Sequence, residues 1–208
     1  MKRKPLDILR ENRTAGIRAA RIYSDVFSPP SVYAIFGFVI ALVTLPGWRG
    51  GLQAIVFGLL ASLLPLLYIL SLMRKGEISD LHISTTRQRH IPYLLGVAGA
   101  GIAYLILRAW GSSPLLLNFV LSDLLALALL GILNNFFLIS AHMTSITLIV
   151  LFAGATFGPA AGLGLTPLIG ITFFIRYYLR RHTVVELIAG TLTGIAIFTT
   201  LVFGGAFA

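Results

Sequence analysis

Seven apolar stretches, each bounded by clumps of charge, limit what this chain can fold into. They cover residues 31–48, 51–73, 91–110, 114–139, 143–158, 160–175 and 183–203, and within them only Arg108, Asp123 and Glu186 are charged. A helix crosses the hydrocarbon of a bilayer with about 20 apolar residues. In lipid the backbone must satisfy its own hydrogen bonds, so each stretch is expected to be helical. The expected fold is therefore all-α: a polytopic membrane helical bundle of about six or seven transmembrane helices. The fifth and sixth stretches are short and rich in Gly and Pro, so they can also be read as one tight helical hairpin. Composition points the same way, with 57% hydrophobic and 11% charged residues, against about 25% charged in a soluble domain. A mean hydropathy of +0.93 excludes disorder, and the absence of cysteine excludes a disulfide scaffold.

The net charge of +9 does not point to nucleic acid, because the basic residues sit beside apolar spans. Orientation and attraction to lipid headgroups explain them, so the expected partners are membrane lipids. If the spans alternate, fourteen of the sixteen Lys and Arg fall on one side, and only Arg49 and Arg108 on the other. His82, His90, His142 and His182 share the basic side. The excess of Lys and Arg predicts that this face is cytoplasmic, in the cell membrane. Residues 1–30 read as a basic interfacial amphipathic segment. In it Ile8, Leu9, Ile17, Ile22 and Val26 interleave with Arg10, Arg13, Arg18 and Arg21, and Ser28-Pro29-Pro30 ends it. Residues 31–205 form the bundle. The first 21 residues hold seven Lys and Arg and no apolar run of the signal-peptide kind.

The sharpest motif is Arg176-Tyr-Tyr-Leu-Arg-Arg-His182-Thr-Val-Val-Glu186. Residues four apart on a helix are neighbours, so Glu186 can accept one imidazole N–H of His182 and fix its tautomer. The other ring nitrogen then carries the lone pair and can act as a nucleophile. Arg176 can fork two hydrogen bonds to phosphate oxygens. Carboxylate, imidazole and anion clamp together form a set suited to phosphoryl transfer. The alternative is a loop whose Arg-Arg-His anchors the interface. A second cluster, Ser140-Ala141-His142, ends the fourth span with a hydroxyl, a small residue and another imidazole, which suits phosphate binding and general acid catalysis. The alternative there is an interfacial histidine.

Taken together, the two clusters resemble the type 2 phosphatidic acid phosphatase superfamily, which includes lipid phosphatases and vanadium haloperoxidases. Arg176-x5-His182-x3-Glu186 is similar to that family's third motif, Ser-Arg-x5-His-x3-Asp, and Ser140-Ala141-His142 to its second, Pro-Ser-Gly-His. The resemblance covers roughly residues 75–200. It implies a helical bundle in which His182 is phosphorylated and His142 protonates the leaving oxygen, with no metal or other cofactor. Ile175, Ile139 and Ala141 stand where the family has Ser, Pro and Gly, and Glu186 replaces Asp. The first motif, Lys-x6-Arg-Pro, matches least. With its Pro on Pro92, Ser84 and Ile91 occupy the Lys and Arg positions, and Arg87 and Arg89, or Lys75, lie near enough to serve as phosphate ligands instead.

The function so implied is a metal-independent integral-membrane lipid-phosphate phosphohydrolase. Its catalytic residues would be His182, His142 and Glu186, and its substrate ligands Arg176, Ser140, Ala141, Arg89 and Arg87. Phosphatidate, phosphatidylglycerophosphate and polyprenyl (di)phosphate all suit it as substrates. A lipid-phosphate transferase on the same site, or a non-catalytic lipid-binding or transport protein, remains an alternative. Asp80 and His82 read as solvated loop residues or further ligands. Asp123 reads as an intramembrane functional acid or a partner for a neighbouring helix, and Asn134 and Asn135 as interhelical hydrogen-bonders.

Overall fold

Every regular element among the described residues is a helix, as a backbone surrounded by lipid requires. The structure, a computed structural model, describes residues 5, 6, 14–77 and 90–205. The amino-terminal helices are α1 (Ala15–Val26), α2 (Pro29–Thr44), α3 (Trp48–Phe57) and α4 (Leu64–Arg74). A π-helical segment, Gly58–Leu63, joins α3 to α4 into one 27-residue traverse. Pro65 lies two residues beyond its end. Proline lacks an N–H and clashes with the carbonyl four residues back, and the wider turn relieves both. Next come α5 (His90–Ala109), α6 (Pro114–Leu133), α7 (Ala141–Phe157), α8 (Pro159–Leu165), α9 (Pro167–Tyr178) and α10 (Val184–Phe203).

Trp48–Arg74, His90–Ala109, Pro114–Leu133, Pro159–Tyr178 and Val184–Phe203 are long and apolar enough to cross a bilayer. The short α2 qualifies jointly with α1, to which it is bent by 49°. The seventeen residues of α7 rise only about 25 Å, less than the ~30 Å of hydrocarbon. This helix is the centre of the bundle, with every residue from His142 to Val150 buried, so protein rather than lipid surrounds it. The result is an all-α bundle of an integral membrane protein, with a helix at each of the seven expected spans.

Close backbone approach sets the order of the helices around α7, since lipid supplies no hydrophobic force between them. A Cβ at Gly190 would lie 2.6 Å from Ser140 O, and one at Gly194 would lie 2.9 Å from Thr144 O. These glycines, four apart on α10, let it press against α7, and Thr144 Oγ1 donates to Gly190 O at 3.0 Å across the contact. The α7–α8 hairpin turns at Gly158 (φ +93°) and closes where Gly154 meets Gly162. On the other side, Phe119 of α6 is fully buried. Its ring lies 5.2–5.9 Å from those of Tyr33, Phe36, Phe57 and Phe152.

One expectation needs revision. The fourth span ends at Leu133 rather than Ile139. Asn134 stops it by accepting from the Ile139 N–H at 2.7 Å and donating to Tyr93 Oη on α5 at 3.1 Å. Asn135 instead bonds back to Gly131 O and Ile132 O at the end of its own helix. Helix α1 carries the described part of the amino-terminal segment. Ile17 and Ala20 pack on Leu179, while Ile22 and Val26 are exposed. Five positions at 100° each turn Ile22 about 140° from Ile17, so Ile17 meets Leu179 while Ile22 stays exposed. Tyr23 Oη hydrogen-bonds Thr172 Oγ1 at 2.8 Å and ties α1 to α9. Ile8, Leu9, Arg10 and Arg13 lie outside the described residues.

Candidate functional site

The local geometry around His182 follows from how α9 ends and α10 begins. Arg180 adopts φ +56°, and the Arg181 N–H donates to Arg176 O at 3.1 Å, so the chain reverses within one turn. Thr183 then caps α10: the Glu186 N–H donates to Thr183 Oγ1 at 3.3 Å and the Thr183 N–H to Glu186 Oε2 at 3.0 Å. This reciprocal capping box satisfies two otherwise orphaned donors. Glu186 Oε2 is also 3.3 Å from His182 Nδ1. A carboxylate only accepts, so the imidazole proton sits on Nδ1 and the lone pair on Nε2. The pair is shielded, with side-chain exposures of 3% for His182 and 11% for Glu186.

The α7–α10 contact brings the second histidine to the same place. Ser140 is the N-cap of α7, its Oγ accepting from the Met143 N–H at 3.4 Å, and its own N–H donates to Glu186 O at 3.2 Å. His142, one position into α7, is buried, and its Nε2 donates to Ser24 O of α1 at 3.1 Å. Arg176, in the last turn of α9 and also buried, donates from Nη1 to Ser24 Oγ at 3.4 Å. Burial takes the guanidinium out of water and strengthens its attraction for any anion that enters.

Ala141, His142, Arg176 and His182 line one cavity of about 160 Å³. Its remaining wall is mostly apolar and includes Pro29, Pro65, Ile69, Pro92 and Leu127, with Tyr33 and Asp123 as further polar members. The residues proposed from the two clusters thus meet at the same face, although 40 positions separate the histidines. Glu186 reaches the cavity through His182. Ser140 is not among the lining residues, since its hydroxyl is turned to the helix cap. Arg87, Arg89, Asp80 and His82 lie outside the described residues, and His90 is exposed. Among the described residues, no three His, Cys, Asp or Glu side chains gather as a metal site would require.

Three contributors have no counterpart in the motifs. Ser24 touches both His142 and Arg176, and no local pattern in α1 marks it. Tyr33 faces the cavity from α2. Gly190 and Gly194 set the α7–α10 distance, and their small-x3-small spacing is a signal that sequence does carry. Comparison with known proteins gives no matching family model, no similar curated protein and no similar solved structure.

Proposed function

We propose that this chain is a metal-independent lipid-phosphate phosphohydrolase, a divergent relative of the type 2 phosphatidic acid phosphatases. The observation that carries the proposal is the Glu186–His182 hydrogen bond at 3.3 Å, on the wall of a cavity shared with His142 and Arg176. His182 Nε2 attacks phosphorus while Glu186 stabilises the positive charge that forms on the ring. Arg176 neutralises charge on the non-bridging oxygens. The bond to the leaving oxygen breaks as His142 supplies its proton. Water then attacks the phosphohistidine, His142 takes the water proton, and inorganic phosphate leaves. An amphiphilic substrate fits a site at the end of a membrane bundle with an apolar inner wall. The excess of basic residues supports placing this face on the cytoplasmic side of the cell membrane.

Phosphate release tests the proposal. Detergent-purified protein with EDTA present should release inorganic phosphate from phosphatidate, phosphatidylglycerophosphate or a polyprenyl phosphate, and His182→Ala should release none. Equal release by the wild type and His182→Ala, or none from any lipid phosphate, would refute it.

A further inference from the structure

The proposed chemistry uses one end of the cavity and leaves two buried polar groups at its wall unexplained. From α6, Asp123, Ala126, Leu127 and Leu130 face this space. Asp123 and Leu130 are seven positions apart, roughly 10 Å of helix axis, so Asp123 lies near the middle of the Pro114–Leu133 span. Its carboxyl is 4% exposed and makes no hydrogen bond or ion pair with any described residue. The adjacent Ser122 hydroxyl is turned away to Phe119 O at 2.6 Å. Tyr33, 3% exposed, lines the same cavity, and its hydroxyl has no hydrogen-bond partner among the described residues.

Buried polar groups are almost always hydrogen-bonded, and an acid within a bilayer span is among the costliest to leave unmatched. Two such groups on the wall of one cavity mark a place for a polar atom of a ligand. A carboxyl oxygen accepts hydrogen bonds in either protonation state, and a phenol both donates and accepts. The complementary group is therefore a donor. The cavity is of the size that takes up a benzene-like molecule, so it holds a headgroup and a few further atoms. A long hydrocarbon chain must continue past it between the helices.

We infer that Asp123 and Tyr33 form a second polar subsite that binds a hydrogen-bond donor, a hydroxyl or an ammonium, carried by an amphiphilic phosphate a few atoms from phosphorus. The inference rests on the phosphate-binding reading of His142, Arg176 and His182. It makes the preferred substrates those with a donor beside the phosphate, rather than fully substituted or purely hydrocarbon ones.

The test is a titration of full-length protein in detergent, in a His182→Ala background so that no probe turns over. Three phosphomonoesters are compared: dodecyl phosphate without a donor, lysophosphatidate with a hydroxyl, and sphingosine 1-phosphate with an ammonium as well. Donor-bearing probes should bind about ten-fold more tightly than dodecyl phosphate, the effect of one well-made hydrogen bond. Asp123→Leu should remove that advantage and leave dodecyl phosphate unchanged. Asp123→Asn keeps an acceptor but no charge, so it should retain the advantage of a hydroxyl and lose that of an ammonium. Tyr33→Phe, which removes a single oxygen, should reduce the advantage at least three-fold and carries the test if Asp123→Leu fails to fold. Equal binding of all three probes, no binding, or an advantage unchanged in the folded variants would overturn the inference. A donor advantage without phosphate release by the wild-type protein would refute the hydrolase reading and leave the subsite standing. Phosphate release from dodecyl phosphate with no donor preference would do the reverse.

Discussion

Replacing Glu186 by glutamine separates two tasks that one oxygen performs. Oε2 accepts from the Thr183 N–H at 3.0 Å, which caps α10, and from His182 Nδ1 at 3.3 Å, which orients the imidazole. Glutamine keeps a carbonyl oxygen for the cap and keeps the 186 N–H that donates to Thr183 Oγ1. What it loses is the negative charge facing the ring that the proposed attack would make cationic. A hydrogen bond to a charged partner contributes about 1.5–3 kcal/mol, or roughly 10- to 150-fold in rate. Solvent screens this pair little, since its side chains are 3% and 11% exposed, so the upper part of that range applies. Glu186→Gln should therefore lower kcat on the order of 10²-fold with KM little changed, because the proposed mechanism assigns anion binding to Arg176. Its thermal midpoint should stay near that of the parent. Glu186→Ala, which also loses the capping box, should cost about 1 kcal/mol of stability besides. Glu186→Asp should recover part of the activity. Steady-state phosphate release together with thermal unfolding in detergent measures both tasks. A Glu186→Gln kcat within about two-fold of wild type would remove the orienting carboxylate from the mechanism.

Gly190→Ala places a methyl 2.6 Å from Ser140 O, so it should cost about 3 kcal/mol or more and lower the thermal midpoint. Gly164→Ala and Gly170→Ala, which meet nothing within 4 Å, should leave it unchanged, and equal midpoints for all three would contradict the close α7–α10 contact. His142→Ala should abolish hydrolysis of alkyl phosphates while still releasing p-nitrophenolate from p-nitrophenyl phosphate in a burst, since that leaving group needs no proton. The chain has no cysteine, so Glu77→Cys reports sidedness alone. A membrane-impermeant maleimide should label it only after cells are permeabilised, and labelling of intact cells would place the basic face outside.

The spans were legible because apolar runs and charge clumps are local properties of sequence. Alternation of the spans then puts His142 and His182 on one side, and the four-residue spacing puts Glu186 beside His182. The parts that sequence hid depend on contacts between distant segments. Ser24 is an ordinary serine in an amphipathic helix until α1 docks on α9 and turns it toward His142 and Arg176. Ser140 looks like a phosphate ligand from its position in a motif, yet its hydroxyl faces the Met143 N–H because the first residue of a buried helix needs a cap. Helix α6 ends six residues before Ile139, which is apolar like the span before it. Only the pairing of Asn134 with Tyr93 shows why the helix stops earlier. Asp123 is conspicuous as an acid within a span, but its place on a cavity wall shared with Tyr33 depends on the packing of α2 against α6.

Trapping the covalent intermediate tests the central claim most directly. Purified protein is mixed with ³²P-labelled lysophosphatidate, quenched within milliseconds in alkaline detergent to preserve phosphohistidine, and mapped by peptide mass spectrometry. The proposed mechanism predicts label on His182, absent from His182→Ala and reduced on the order of 10²-fold in its rate of formation in Glu186→Gln. Turnover with no label on His182, or label on any other residue, would contradict it.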